Sequence, residues 1–261
     1  MKPQTLTEAI NVVERRHIHE PEIQGAKEYF EEHLDNTSLE EYEKRAEFHY
    51  YLLTIMLSQH LLYENLHVKK HYDEMIRNFR AQELRFSTEY HDAPKKERQM
   101  VTIQLISLYK IFEHYCNSLE LAYSRLGFSE AQERVYVVKM QCRKMRAYYE
   151  RHYREWMFYA LFELTSNYGL SFYRWGMTLL CIILGFAVTF YAIDLISSEK
   201  IIKYAQGFSF DYVYYSVVTF CTLGFGDILP HTTLQRVVAC VEVVTGYTML
   251  GMFLNLIQKR M

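Results

Sequence analysis

Along residues 1–173, apolar positions recur three and four apart among abundant charges, the period of amphipathic helices. After the first few residues this stretch has Pro only at 21 and 94, and before Gly169 it has Gly only at 25 and 127, so few positions interrupt the pattern. The spacing predicts helices over 5–18, 22–34, 38–66, 68–90, 95–126 and 129–165. Gly127 reads as a left-handed stop, and Ser129 with Gln132 as a capping box opening the next helix. Two apolar runs, 48–63 and 100–109, are too short or too interrupted by His49, Ser58, Gln59 and His60 to cross a bilayer. They read as core helices of a bundle.

Beyond residue 173 the pattern changes. Trp175 to Ile193 is nineteen residues without a formal charge, and Val237 to Ile257 is twenty-one residues whose only charge is Glu242. At a rise of about 1.5 Å per residue, each covers most of a hydrocarbon core about 30 Å thick. Two membrane-spanning helices are expected, over 175–196 and 236–258. The first lies too far from the N-terminus to be a signal peptide. Basic residues crowd the flanks, with Arg143, Lys144, Arg146, Arg151, Arg154 and Arg174 before the first span and Lys259 and Arg260 after the second. Since such residues tend to stay on the cytoplasmic side, both termini are expected in the cytoplasm of a multi-pass protein of the cell membrane.

Composition removes several classes of function. There are 29 Lys+Arg against 31 Asp+Glu, a net charge of −2 and 50% hydrophobic residues, which argues against disorder and leaves no footprint for a nucleic-acid partner. Five Cys (116, 142, 181, 221, 240) occur without a C-x-x-C pair, so neither a disulfide scaffold nor a structural zinc site is indicated. No catalytic triad, paired carboxylates or phosphate-binding loop can be read, and the chain is expected not to be an enzyme.

Between the spans lies FSFDYVYYSVVTFCT (208–222), then LGFGD (223–227) and Pro230. An apolar run too short to span, followed by Gly-containing irregular backbone at membrane depth, is tolerated only where protein or a water-filled pore covers the backbone polar groups. This reads as a re-entrant loop with a pore helix over 210–221 and a filter over 222–227. Glycines at alternate positions permit the backbone angles needed to point successive carbonyls at a dehydrated cation, and the Thr222 hydroxyl adds an inner ring of oxygens. The pore helix would turn the negative end of its dipole towards that cation. Leu223 and Phe225 would face away, against a cuff of Tyr214, Tyr215 and Phe220.

The string Thr222-Leu223-Gly224-Phe225-Gly226-Asp227 resembles the TVGYGD signature of potassium channels, and helix, pore loop, helix resembles their two-transmembrane pore module. The resemblance covers 174–261. It implies K⁺ as the transported ion, no other cofactor, and a homotetramer with one filter strand from each copy; with the helical period of 1–173, an all-α protein is expected in which a cytoplasmic helical regulatory or assembly domain (1–173) precedes the pore module. Carried over by position, Thr222 to Gly226 would form the ion sites and Asp227 would brace the outer mouth. Cys221 stands where the family commonly has a second Thr, and Val218 where some members carry a carboxylate.

In the second span, Gly246 lies twenty residues beyond Gly226, the family's spacing for a gating hinge, while helix packing is the other use for a Gly there. Leu250, Leu254 and Gln258 follow it at intervals of four and are expected to line the inner pore. The intramembrane acid Glu242 is expected to make a buried bond to the pore helix rather than to attract ions.

Control of the pore falls to the N-terminal domain, where an unidentified ligand or protein is expected to act. From Arg134 to Arg154 there are seven basic residues and one acid, Glu150, followed by WMFYALF, so residues 129–173 are read as a membrane-surface linker with anionic lipids near 134–162. His60, Glu64, His67 and His71 share one face at helical spacing and suggest a metal or proton sensor, with Glu14-x-x-His17 a second half-site. Two other readings are a weakly selective cation channel and a membrane-anchored helical sensor or scaffold with a non-conducting pore module.

Overall fold

The computed structural model describes residues 2–14, 20–59, 66–94, 96–197, 199–202 and 207–258. Among the described residues every regular element is a helix, as the periodicity predicts. The chain divides into two compact units, Met1–Tyr159 and Ala160–Met261, a boundary that falls earlier than the one at 173 expected from composition.

The first unit contains α1 (Leu6–Glu14), α2 (Glu20–Asn36), α3 (Tyr42–Ser58), α4 (Leu66–Asp92), α5 (Arg98–Leu126) and α6 (Ser129–Tyr149), with the start of α7 (Tyr153–Ser166). Its centre is α3, on which Phe48 to Leu53 are buried without a break. Neighbours from α1, α2, α4 and α5 cover α3, which is why a charge-free segment sits in a bundle and not in a bilayer. Aromatic stacks tie the layers together: Phe30 on Tyr51 at 5.0 Å, Tyr50 on Tyr115 at 4.0 Å and Phe79 on Phe112 at 3.7 Å between ring centroids.

Three local expectations are corrected. The helix predicted over 38–66 stops at Ser58, where the Gln59 N–H bonds back to the carbonyls of Ile55 and Leu57. Gly127 does take the left-handed conformation, at φ 77°, and the Phe128 N–H reaches the Tyr123 carbonyl at 2.9 Å. That closure makes Phe128 the N-cap of α6, so Ser129 is already inside the helix and makes no capping box with Gln132. The predicted 129–165 helix is two helices. Arg151 adopts φ 61°, and the His152 N–H bonds to the Ala147 carbonyl at 2.9 Å, ending α6 without any Gly to signal it.

The basic run makes contacts within the first unit. Arg143 and Arg146 both bond Glu113 on α5, at 2.6 and 2.5 Å, and Lys139 pairs with Glu120. Nearby, Arg80 bridges Glu83 and Gln141, and the Tyr109 hydroxyl donates to Glu83 at 2.7 Å. Much of the α6 basic face therefore ties α6 to its neighbours in the bundle. The exposed apolar stripe belongs to α7, through Tyr153, Met157, Phe158, Leu161 and Leu164.

The second unit contains α8 (Phe172–Ile196), α9 (Phe210–Phe220) and α10 (Thr233–Gln258). Ser171 caps α8, its hydroxyl accepting from the Arg174 N–H at 3.3 Å. Both α8 and α10 are long and apolar enough to cross a membrane, and only 28% and 17% of their most apolar stretches are buried by the chain itself. A core helix of a soluble protein would be covered; these two leave their sides for lipid or for another protein surface. Trp175 pins them together at one end, its indole N–H donating to the Met249 carbonyl at 3.2 Å and its ring stacking on Phe253 at 4.9 Å.

Candidate ion-conduction site

The site is built where α9 ends. The last turn closes with the Thr222 N–H on the Thr219 carbonyl at 3.0 Å and the Leu223 N–H on the Val218 carbonyl at 2.9 Å. From there the chain alternates. Thr222, Gly224 and Gly226 have φ of 56°, 58° and 79°, with Leu223 and Phe225 between them outside the left-handed region. Glycine takes such angles freely, but a β-branched threonine does so at a cost of about 1–2 kcal/mol, so the surroundings must impose it. Left-handed and ordinary residues in alternation turn successive carbonyls to the same side of a strand, the arrangement a carbonyl-lined cation path needs.

Leu223 and Phe225 are 58% and 65% exposed within the single chain. The cuff expected to hold them is therefore not closed by their own copy. Beside them lies a hollow of about 400 Å³, lined by Tyr214, Val218, Thr219, Phe225, Pro230 and Tyr247 among others.

Asp227 accepts a hydrogen bond from the Tyr214 hydroxyl at 2.6 Å and from the Ile228 N–H at 3.1 Å. The pore helix thus grips the filter mouth from Tyr214, one turn before the buried, apolar Val218. Sequence reasoning placed Tyr214 in the cuff and missed this bond, although a hydroxyl one turn upstream of a position lacking its carboxylate was the available signal.

A second node went unseen in the sequence. Asp194, at the end of α8 and 2% exposed, accepts from the N–H groups of Ile201 and Ile202, from the Tyr212 hydroxyl at 3.0 Å and from the Gln235 amide at 3.0 Å. Gln235 in turn donates to the Glu199 carbonyl and accepts from the N–H groups of His231 and Thr232 at 2.8 Å, capping α10. One carboxylate and one amide tie both spanning helices, the pore helix and the connecting segment at the end where the filter emerges. In sequence, Asp194 is only the charge that ends an apolar run.

On α10, Gly246 is buried against the pore helix: a Cβ there would come within 2.3 Å of the Phe220 carbonyl oxygen. Packing accounts for this glycine. Leu250, Leu254 and Gln258, expected to share its face, are exposed in the single chain, because an interval of four residues drifts around a helix of 3.6 residues per turn. Glu242, one turn before Gly246, is fully buried and bonds Ser216 on α9.

The histidine cluster resolves differently. His67 and His71 lie on α4, whereas His60, Glu64 and His17 fall outside the described residues. The partner of His71 is His49 on α3, with the two Nδ1 atoms 2.9 Å apart. Burial pushes both rings down, His49 to about 3 with help from the charges of His71, Arg45 and Lys70, and His71 to about 4 with help from Lys70, His67 and Lys27. No group of three or more His, Cys, Asp or Glu able to hold a metal occurs among the described residues.

Comparison with known proteins meets this geometry at the same residues. A family model described as "Ion channel" matches residues 177–261. Two-pore potassium channel 4 of Arabidopsis thaliana is 35% identical over 82 residues, covering 31% of this chain and 27% of that protein. Two pore potassium channel b of Oryza sativa subsp. japonica is 31% identical over 86 residues, covering 33% of this chain and 23% of that protein. The chain thus spans about a quarter of the length of these curated relatives, and no solved structure matches it significantly. With a short helix, an alternating backbone after it and two helices long and apolar enough to span a membrane in one compact unit, residues 177–261 are similar to ion channels and, within them, to two-pore potassium channels.

Proposed function

We propose that the protein is a K⁺-selective channel of the cell membrane, a homotetramer in which four copies of residues 222–226 form one carbonyl-lined filter. The observation that carries this reading is the alternation of left-handed φ at Thr222, Gly224 and Gly226 inside TLGFGD. Ions would shed water against successive carbonyl rings and advance by mutual repulsion. Leu and Phe replace Val and Tyr only on the side facing away from the ion, which favours K⁺ over a weakly selective path.

The exposed Leu223 and Phe225 support the tetramer. In a closed ring, each copy's filter would press these side chains on the pore helix of the next, filling the hollow beside Tyr214 and Tyr247. Leu250, Leu254 and Gln258, uncovered on α10, would line the inner pore below. Both termini would lie in the cytoplasm, with residues 1–173 as the controlling or assembling domain, and the chain acts as a conduit and not as an enzyme. Lipid contact would fall to the apolar stripe of α7, with Arg151 and Arg154 at the headgroups.

Liposomes loaded with K⁺ and carrying the purified full chain test the proposal through K⁺ and Na⁺ flux beside a Gly224→Asp control. K⁺ flux lost in the control supports the reading. Comparable Na⁺ flux would move it to a weakly selective cation channel, and a monomer or dimer in detergent would leave only a membrane-anchored helical scaffold.

A further inference from the structure

Glu242 is 0% exposed within a single chain, so no neighbouring copy can reach it, and its surroundings on α8, α9 and α10 are already complete. Its Oε1 lies against the Ser216 hydroxyl of the pore helix, and its Oε2 has no hydrogen-bond partner. The same Ser216 hydroxyl lies 2.8 Å from the Ile183 carbonyl oxygen on α8.

A proton count decides what this arrangement is. The Ser216 hydroxyl carries one proton, and the Ile183 carbonyl can only accept. An ionised Glu242 could also only accept, which would leave two oxygens facing the hydroxyl with one proton between them and a carboxylate oxygen buried without any donor. Among the described residues no cation balances such a charge: the titratable group facing Glu242 from α9 is the Tyr215 phenol, and the contact from α8 is a backbone carbonyl. A carboxylic acid removes the first conflict and reduces the second, because the unpartnered Oε2 is then a neutral carbonyl oxygen and not part of a buried charge. Its O–H donates to Ser216 Oγ, and Ser216 donates onward to Ile183.

We infer that Glu242 is held as an uncharged acid and acts as a hydrogen-bond donor, closing a chain α10→α9→α8 that positions the pore helix under the filter. Glu242 is a positioning residue that touches no ion. The chain runs one turn from the Gly246–Phe220 contact, so α10 holds α9 at 216 through a proton and at 220 through close packing. Thr222, where the strained filter backbone begins, lies six positions beyond Ser216. The effect on flux rests on the channel reading above; the state of the acid does not.

The experiment is infrared spectroscopy of the full chain in lipid at neutral pH, wild type against Glu242→Gln, with K⁺ flux measured on the same preparations. The expected result is a protonated-carboxyl C=O band in the wild type that is absent from Glu242→Gln, and flux in Glu242→Gln within about twofold of wild type, since the amide also donates. Glu242→Ala should lower flux about tenfold or more. Should Glu242→Gln not fold, Ser216→Ala gives the same answer by shifting the acid band to that of a carboxyl freed from its partner. A wild-type spectrum lacking the band, or showing an added carboxylate band lost in Glu242→Gln, overturns the inference whether or not the protein conducts. Loss of flux in Glu242→Gln with the acid band present in the wild type would overturn the donor role. Failure of the channel reading shows separately, as wild-type flux no greater than that of Gly224→Asp.

Discussion

Gly246 of the second spanning helix lies against the backbone of Phe220 at the end of the pore helix, so close that a Cβ at 246 would stand 2.3 Å from the Phe220 carbonyl oxygen. The obstacle is backbone, which cannot rotate away as a side chain could. Gly246→Ala is therefore expected to force α10 off α9 and to cost about 1–3 kcal/mol, an overpacking penalty larger than the gain in helix propensity. Gly251, five residues on, has nothing within 4 Å of its Cβ position. Gly251→Ala should be neutral or slightly stabilising. Thermal unfolding of the two variants in detergent checks the contrast, and equal melting temperatures would contradict it.

At the filter, Gly224 and Gly226 have open space around their Cβ positions but φ values of 58° and 79°. An alanine at either site meets no clash and still has to adopt a left-handed backbone at a cost of about 1–2 kcal/mol. The expected outcome is loss of K⁺ flux with helical content and melting temperature nearly unchanged, measured by flux assay and circular dichroism. A variant that conducts normally would show that the alternation is not required.

The Tyr214–Asp227 bond sits at the exposed filter mouth and joins the pore helix to the strand after the filter. Tyr214→Phe removes one hydrogen bond to a charged acceptor and nothing else, and solvent screens the loss. Flux should start normally and decay faster than in the wild type. Unchanged time courses would assign the bracing to other contacts.

Asp194 collects four donors in a space closed to solvent. Asp194→Asn replaces one accepting oxygen by an NH₂ that faces donors already pointing inwards, leaving buried N–H or O–H groups unpaired at about 1–3 kcal/mol each. A large drop in melting temperature is expected, exceeding that of Gln235→Ala only if the carboxylate is the centre of the node. The pair of melting curves measures which residue holds the assembly.

The His49–His71 pair predicts the sign of an acid limb. Both rings are held neutral well below the ordinary histidine range, so as pH falls below about 6.5 the unfolded chain takes up protons that the folded one refuses, and stability falls. The slope is at most about 1.4 kcal/mol per pH unit for each ring, and less for the half-buried His71 because solvent screens it. His49→Phe, which keeps a ring without a titrating nitrogen, should flatten melting temperature against pH between about 6 and 4. An unchanged slope would place the acid sensitivity elsewhere.

The sequence by itself determined the helices and the likeness to ion channels. A period of 3.6 marked the helices, two charge-poor runs of bilayer length marked the candidate spans, and alternate glycines in TLGFGD marked the alternating backbone, because each of these is local chemistry carried by neighbours in the chain. Tertiary structure decided what each polar group is for. The arginines of α6 read as a basic run in sequence but meet Glu113 of α5 in space, and the partner of His71 is His49 on another helix. Likewise Asp194 ends an apolar run in sequence but gathers donors from α9, α10 and the connecting segment in space. The break at Arg151 carries no Gly or Pro, since its left-handed turn is imposed by the close of α6 and not by the residue's own preference. Period and composition are properties of a residue and its neighbours in sequence; a buried hydrogen bond is a property of two segments, and only folding brings the second one within reach.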